Sequence, residues 1–457
     1  MKPLIPLLKM KSLENYVSPT RFLALCNIIN AGLGFVVGAY IARVLGPERL
    51  GITAVINGIN SSINGLIDVR LNDVAAKAFY QHENQTGISV LAYQSGIVWI
   101  TMAGTIALSI LVAALSALIG NFLIPYFTGS SVARWWLPLN AVTMALSTIA
   151  GTALFLLRFT KNFYAIGIWR VAMSVISLLI TITVLRVHPN ISGQYLAGFY
   201  GGVVNVVITV CISWYLWNYI SHLPMLKPDW RGAITAFRRN LKLVFYGNLL
   251  GYSKLLQRSA DTLLVARFTN DRETGFYKFT RTFVDSGLAI LQDALYQVYY
   301  PAFLQSFAQR AKDEYHRLAN RLLRISGLIT LLLLAGGLLI LPWGIPLVFG
   351  QQYRGVEWPI IIFSSEFIFI VGCYPWLWAL FVASGDLMAY TITTFVAVGM
   401  QYAIVLALFH LFNPSALSGV LGALSYYFVL IPIIYTIARK RWGEFLPTIT
   451  TRHGGRL

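Results

Sequence analysis

Twelve segments of about 20 apolar residues follow one another along this chain of 457 residues. A helix of that length spans the hydrocarbon core of a bilayer and satisfies its own backbone hydrogen bonds there. The sequence therefore predicts an all-α, polytopic membrane protein with about 12 transmembrane helices. The segments have the approximate limits 20–43, 51–69, 88–118, 133–157, 163–185, 195–219, 241–266, 276–307, 322–343, 356–382, 387–410 and 415–438.

The distribution of Lys and Arg between the predicted loops sets the orientation. With a cytoplasmic N-terminus, the inner loops and tails hold 23 of the 35 basic residues and the outer loops hold 7. Loops rich in Lys and Arg remain on the cytoplasmic side during insertion. Both termini are therefore predicted to be cytoplasmic.

The central loop divides the predicted segments six and six. The halves also share a sequence pattern at an offset of 224 residues, because residues 42–43 and Gly51 align with residues 266–267 and Gly275. Six spans in each half give both halves the same orientation, so a pseudo-two-fold axis along the membrane normal is expected. The predicted domains are an N-terminal six-helix lobe (1–219), a cytoplasmic linker along the lipid headgroups (220–240), a C-terminal six-helix lobe (241–438) and a cytoplasmic tail (439–457).

Two neighbouring segments, 241–266 and 276–307, carry charges where a bilayer disfavours them. On a regular helix each set of charges falls within an arc of about 60°. Three such charges facing lipid would cost roughly 8 kcal/mol, so they are expected to face protein or a watery cavity. The first set is Lys254, Arg258 and Asp261, and the second is Lys278, Arg281 and Asp285.

The first two segments offer amides in place of charges. Asn57, Asn60 and Asn64 lie within an arc of about 100° on the second segment, and Asn27 lies on the first. Amides both donate and accept hydrogen bonds, which suits sugar hydroxyls. The pattern predicts a cavity with an amide wall and a basic wall.

Each of these features has a structural alternative. The i,i+3 and i,i+4 spacings let the carboxylates neutralise their own cations, and Asn side chains join helices within membrane bundles. Internal pairing would leave a surplus of two positive charges, since the two sets hold four basic and two acidic side chains. Glu366 is a lone carboxyl in the tenth segment, compatible with a protonated, an ion-paired or a coupling-ion role. Arg170 is expected to extend to the cytoplasmic interface.

Several function classes fit the sequence poorly. The predicted outer loops are short and hold neither paired carboxylates nor a His cluster, which disfavours a membrane polymerase or ligase. There is no Walker A sequence, so ATP hydrolysis is not expected. Cys26, Cys211 and Cys373 form no metal-binding or disulfide pattern. The net charge of +18 is dispersed among apolar segments, unlike the basic patch of a nucleic-acid-binding protein. We expect a non-enzyme without metal or bound cofactor.

The turn after the first segment resembles a known signature. Residues 43–51 read Arg-Val-Leu-Gly-Pro-Glu-Arg-Leu-Gly, close to the Arg-x-Leu-Gly-Pro-Glu-x-x-Gly pattern of bacterial polysaccharide transporters. Residues 267–277 and Tyr300-Pro301 look like the repeat of that pattern. In helix count, orientation and repeat the chain is similar to the Wzx-type O-antigen and exopolysaccharide flippases of the multidrug/oligosaccharidyl-lipid/polysaccharide (MOP) exporter superfamily.

This resemblance implies two lobes that form a V around a central cavity lined by helices one, two, seven and eight, in a bacterial inner membrane. It also implies alternating access that moves an undecaprenyl-diphosphate-linked oligosaccharide from the cytoplasmic to the outer leaflet. The expected partners are this lipid-linked oligosaccharide, membrane lipids and polysaccharide polymerase machinery, without nucleic acid. Flippases of the peptidoglycan precursor carry arginines early in the first helix, where this chain has Asn27 and Asn30.

The candidate residues then take three roles. Binding of the diphosphate is assigned to Lys254, Arg258, Lys278 and Arg281. Binding of the sugars is assigned to Asn27, Asn57, Asn60 and Asn64. Orientation of the cations, or coupling to H⁺ or Na⁺, is assigned to Asp261, Asp285 and Glu366. The main alternative is a MATE-like exporter of cationic drugs, which would favour an acidic or aromatic cavity. A polymerase, a ligase and a non-transporting scaffold are less favoured.

Overall fold

A computed structural model gives the fold of the chain. It describes residues 19–67, 71–80, 88–128, 135–157, 163–215, 228–239, 248–249, 251–253 and 255–446. Every regular element within these ranges is helical, and they contain no β-strand. The predicted all-α class is confirmed.

The chain forms two compact units, Met1–Lys278 and Phe279–Leu457. A long helix, α9 (Asp271–Ala308), begins in the first unit and continues into the second. A π-helical turn, Leu256–Ala260, directly precedes the last helix of the first unit. The other helices of that unit are α1 (Pro19–Ile67), α2 (Leu71–Tyr80), α3 (Ile88–Thr128), α4 (Trp136–Leu156), α5 (Phe163–Val187), α6 (Ile191–Tyr215), α7 (Trp230–Arg239) and α8 (Asp261–Phe268).

The second unit contains five further helices. A second π-helical turn, Ile368–Cys373, lies between two of them. The sequence repeat predicts two lobes joined by a linker at residues 220–240, and that division stays a prediction. The helices are α10 (Lys312–Phe349), α11 (Glu357–Phe363), α12 (Tyr374–Ser384), α13 (Leu387–Leu411) and α14 (Ala416–Trp442).

Helix α1 contains a sharp break within the first signature turn, which we define as residues 43–51. Gly46 has φ 76° and ψ 170°, a conformation that a side chain would disfavour. Pro47 follows and has no N–H to donate to the preceding turn, so it suits the start of a new helical arm. The predicted segments 20–43 and 51–69 are therefore the two arms of one kinked element.

Nine helices in the described part of the chain are long and apolar enough to cross a membrane. The difference from twelve predicted segments has three sources. The first two segments join as α1, and segment 241–266 is described only in part. The third source is α9, whose charged residues lower its mean hydropathy. The chain is a multi-pass membrane protein; the count of twelve, the pseudo-two-fold axis and the V shape stay predictions.

Helix α7 lies within the predicted central linker (220–240) and packs against α3. The Asp229 N–H donates to the Ala92 carbonyl at 3.0 Å. The two backbones meet closely, because a Cβ at Gly96 would lie 2.7 Å from the Asp229 carbonyl oxygen. Trp230 and Ile234 remain exposed on the other side of α7. Exposed apolar side chains next to arginines are typical of a helix at the headgroup level, which is where the sequence predicted this segment.

Ion pairs join the helix ends of the second unit. Lys312 at the start of α10 pairs with Glu444, and Arg441 near the end of α14 pairs with Asp386. Helix α14 begins at a capping box centred on Ser415, directly after Asn413-Pro414. The first residues of the predicted tail, 439–442, belong to this helix.

Candidate functional site

A buried carboxylate, Asp261, marks the start of α8. Its exposed fraction is 3%. Oδ2 accepts the Tyr277 hydroxyl at 2.6 Å, and Oδ1 accepts the Thr262 N–H at 2.6 Å. Such bonds offset part of the cost of burying a charge. The first unit therefore holds an acid and a tyrosine hydroxyl in direct contact at the beginning of α8.

The π-helical turn Leu256–Ala260 divides the charged face that the sequence predicted on this segment. Its wider turn rotates the residues that follow, so the regular helical spacing no longer applies. Gln257 and Asp261 are buried, whereas Arg258 is exposed. Lys254, which belongs to the predicted set with Arg258 and Asp261, lies outside the described residues. A π-turn inside a helix is frequent at functional sites, which makes this segment a candidate on local geometry as well as charge.

In the second unit Arg281 is buried beside an aromatic ring and a carboxylate. Its exposed fraction is 4%, and its guanidinium carbon lies 5.8 Å from the centroid of the Phe363 ring. Its Nε lies 3.8 Å from Oδ2 of Asp285, one turn along α9. The aromatic face and the carboxylate both favour the cation. Lys278, one turn earlier and at the end of the first unit, is partly buried.

A second buried acid, Glu366, lies between α11 and the π-helical turn Ile368–Cys373. Its exposed fraction is 1%, and its Oε1 accepts the Tyr427 hydroxyl at 2.6 Å. The Tyr427 ring stacks on Phe369 with 5.9 Å between centroids. Glu366 therefore repeats the arrangement at Asp261, in which a buried carboxylate accepts a tyrosine hydroxyl beside a π-turn.

The predicted sugar-binding amides of the first unit are largely engaged with protein. Asn60 is fully buried, and its Nδ2 donates to the Leu137 carbonyl at 3.1 Å. Asn57 accepts from Nδ2 of Asn140 at 2.9 Å. Asn60 thus joins two helices in this conformation, as the structural alternative to sugar binding predicted. The sugar-binding role of these amides stays a prediction.

Asn27 accepts a hydrogen bond from a neighbouring helix. Its Oδ1 lies 3.1 Å from Nη1 of Arg170, and the two residues join α1 to α5. Sequence reasoning placed Arg170 at the interface and gave no signal for this contact. The guanidinium binds an amide here, so Asn27 is positioned by a cation.

Asn64 differs, because it lines a cavity of about 320 Å³ inside the first unit. The cavity lies between the second arm of α1 and helices α2, α3 and α4. Its apolar lining comes from Leu, Ile and Val side chains. Its polar lining residues are Asn64, Asn72, Thr105, Ser109, Thr148 and Thr152.

The two signature turns contact each other through their backbones. We define the second signature turn as residues 267–275. A Cβ at Gly51 would lie 1.8 Å from the Asp271 carbonyl oxygen, and a Cβ at Gly275 would lie 1.9 Å from the Pro47 carbonyl oxygen. Gly51 corresponds to Gly275, and Pro47 to Asp271, at the offset of 224. The contact is therefore reciprocal, as in an isologous interface.

Arginines of these turns hold them against the rest of the first unit. Nη1 of Arg49 donates to the Pro189 carbonyl at 3.1 Å, and the guanidinium carbon of Arg267 lies 4.5 Å from the centroid of the Tyr126 ring. Each interaction holds one signature turn against a residue that takes no part in the contact between the two turns. The motif recognised in the sequence thus has a structural role in this conformation.

A family model described as "Polysaccharide biosynthesis protein" matches residues 40–357, which begins just before the first signature turn. The chain belongs to this family. The family resemblance that the signature turns indicated is confirmed, and no curated protein matches the sequence.

Solved structures show the fold that this family member shares. A multidrug-resistance MATE transporter of the MOP superfamily, in an inward-facing conformation, is 12% identical with a TM-score of 0.75, over 92% of this chain and 95% of that one. A MOP superfamily transporter from Pyrococcus furiosus is 11% identical with a TM-score of 0.62, over 94% and 96%. The lipid II flippase MurJ is 12% identical with a TM-score of 0.61, over 91% and 87%. These three proteins are described as transporters or flippases.

The contact between the signature turns of this polysaccharide biosynthesis protein is expected to depend on pH. Burial raises the pKa of the Asp271 carboxyl, and the Glu48 carboxylate raises that pKa further. A raised pKa means that the folded state holds the proton more tightly, so this group stabilises the fold at acid pH. The contribution is lost as pH rises from the ordinary value of 3.8 through the raised pKa.

Asp271→Asn is expected to remove this part of the pH dependence. The measurement is the thermal stability of the purified protein in detergent from acid to neutral pH. Glu314→Gln, which removes an exposed carboxyl from the first turn of α10, is the control and should leave the profile unchanged. Identical profiles for Asp271→Asn and the unaltered protein would contradict the prediction.

Proposed function

We propose that this chain is a flippase that moves an undecaprenyl-diphosphate-linked oligosaccharide from the cytoplasmic to the outer leaflet of a bacterial inner membrane. The proposed mechanism is alternating access, in O-antigen or exopolysaccharide biosynthesis, with both termini cytoplasmic. Three facts support it: the polysaccharide biosynthesis family, the fold of MOP superfamily transporters and the multi-pass architecture. The similarity to MurJ, a lipid II flippase, adds support for a lipid-linked substrate.

The observation that carries the proposal is positive charge kept inside apolar helices. The two charged sets hold four basic and two acidic side chains, and Arg281 is buried against an aromatic ring. Fixed cations at membrane depth are costly unless they serve a pathway, and they suit an anion that must leave water. The diphosphate is assigned to Lys254, Arg258, Lys278 and Arg281. For Arg281 this role requires a conformation in which the guanidinium is accessible.

Coupling to H⁺ or Na⁺ is proposed for the buried acids. Asp261 and Glu366 are both buried and each accepts a tyrosine hydroxyl, so each carboxylate has a hydrogen-bond donor in place of water. Asp285, which is partly exposed, is assigned the orientation of Arg281. No catalytic residue is proposed. The sugar units are assigned to the amides of α1 and, as argued below, to the cavity that Asn64 lines.

The test is deletion of the gene followed by chemical analysis of cell lipids and surface polysaccharide. The expected result is accumulation of diphosphate-linked sugar units inside the cell and loss of surface polymer, with the mass of the lipid identifying the sugars. Restoring the gene should reverse both effects.

Two other results would count against the flippase. Unchanged lipids together with new sensitivity to cationic dyes would indicate a MATE-like multidrug exporter. Single sugar units that accumulate already facing outward would indicate that polymerisation, rather than transport, had been lost.

A further inference from the structure

The cavity in the first unit has polar lining groups that, among the described residues, carry no charge. None of its described lining residues is acidic or basic, and the polar groups are two amides and four hydroxyls. Transferring a charged ligand from water into such a site would be costly, because no opposite charge replaces its hydration. The lining therefore favours a neutral, hydrogen-bonding ligand.

Groups around the cavity retain hydrogen-bonding capacity. The Oδ1 atom of Asn72 is buried and has no hydrogen-bond partner among the described residues. Thr148 donates its hydroxyl to the Met144 carbonyl at 2.9 Å, which leaves its oxygen free to accept. Thr105 and Thr152, from α3 and α4, place their hydroxyl oxygens 3.4 Å apart. A ligand with several hydroxyls would satisfy acceptors and donors on different helices.

The volume limits the size of the ligand. About 320 Å³ lies at the small end of the roughly 300–1,000 Å³ that ligand sites enclose. That volume suits one sugar ring better than a whole oligosaccharide. Leu, Ile and Val side chains complete the lining, and they suit the C–H face of a sugar ring.

We infer that this cavity binds one uncharged sugar unit of the transported glycan. The inference rests on the proposed function and adds to it a subsite that is separate from the basic residues assigned to the diphosphate. Neutral hydroxyl and amide groups would then recognise the sugar, and the cations would recognise the diphosphate.

The test compares two lipids on the purified full-length protein in lipid nanodiscs. One is the diphosphate-linked sugar lipid extracted from cells that lack the gene, and the other is undecaprenyl diphosphate without sugar. We expect the unaltered protein to bind the glycosylated lipid about tenfold more tightly than the bare lipid. Thr148→Leu fills the cavity and should reduce that ratio to about one, with unchanged binding of the bare lipid.

Two further variants keep the test independent of folding. Thr148→Val preserves the shape and removes only the hydroxyl, so it should lower the ratio severalfold. Ser147→Leu alters the neighbouring exposed position, which is outside the lining, and should keep the full ratio. Equal ratios for Thr148→Leu and the unaltered protein would overturn the sugar subsite and leave the flippase intact. If no such lipid accumulates, or neither lipid binds, the proposed function fails and this inference fails with it.

Discussion

Alanine at Gly51 or at Gly275 is expected to separate the signature turns and to abolish export. The added Cβ would overlap a backbone carbonyl oxygen in each case, at 1.8 Å from Asp271 or 1.9 Å from Pro47. A backbone atom cannot rotate away as a side chain can, so one turn must move. We expect a loss of about 1–3 kcal/mol in the free energy of unfolding.

The measurements are surface polysaccharide in a complemented deletion strain and thermal unfolding of the purified protein. The matched controls are Gly38→Ala on α1 and Gly287→Ala on α9, where an added Cβ would meet no atom within 4 Å. Alanine is the better helix former, so these controls should be neutral or slightly stabilising. Gly51→Ala and Gly275→Ala behaving like their controls would contradict the importance of the backbone contact.

Arg281→Gln is expected to lose export at a normal protein level. The substitution keeps a polar side chain and removes the charge assigned to the diphosphate. Hydrogen bonds to charged groups contribute about 1.5–3 kcal/mol each, which corresponds to roughly a ten- to hundredfold weaker binding of the lipid. Arg281→Lys keeps the charge but lacks the planar guanidinium that stacks on Phe363, so an intermediate loss is expected.

Binding of undecaprenyl diphosphate in nanodiscs measures the effect directly, and thermal unfolding separates it from a structural loss. Arg324→Gln on α10 removes the same charge from an exposed position and serves as the control. Full export by Arg281→Gln at a normal protein level would refute the diphosphate role of this residue.

Turn residues and hydropathy predicted most of the fold. The Gly-Pro pair in the first signature turn predicted a break between two apolar arms, and Gly46 provides it with a positive φ. Hydropathy located most of the remaining helices to within a few residues, because bilayer thickness constrains their length. Two helices extend further than predicted, since α3 ends at Thr128 and α10 begins at Lys312. Hydropathy could not reveal how sharply the chain turns at Gly46, since that depends on the dihedral angles of the turn itself.

The candidate site was less predictable, because it depends on neighbours that the sequence does not specify. Asn60 and Asn64 are four residues apart and share a helix face, yet one is buried against α4 and the other lines a cavity. The π-turn before Asp261 changes the helical spacing on which the angles were based. The cavity hydroxyls gave no signal, because Ser and Thr are common in membrane helices and usually bond to their own backbone.

The reciprocity of the turn contact has an evolutionary consequence. Each turn supplies a glycine and receives the other turn's glycine at the equivalent carbonyl, so one short motif encodes both sides of the contact. Two separate copies of a half-length chain would make the same contact across the dyad of a homodimer. Gene duplication and fusion would then preserve this contact between the turns. Later substitutions in either turn would be constrained by the other turn.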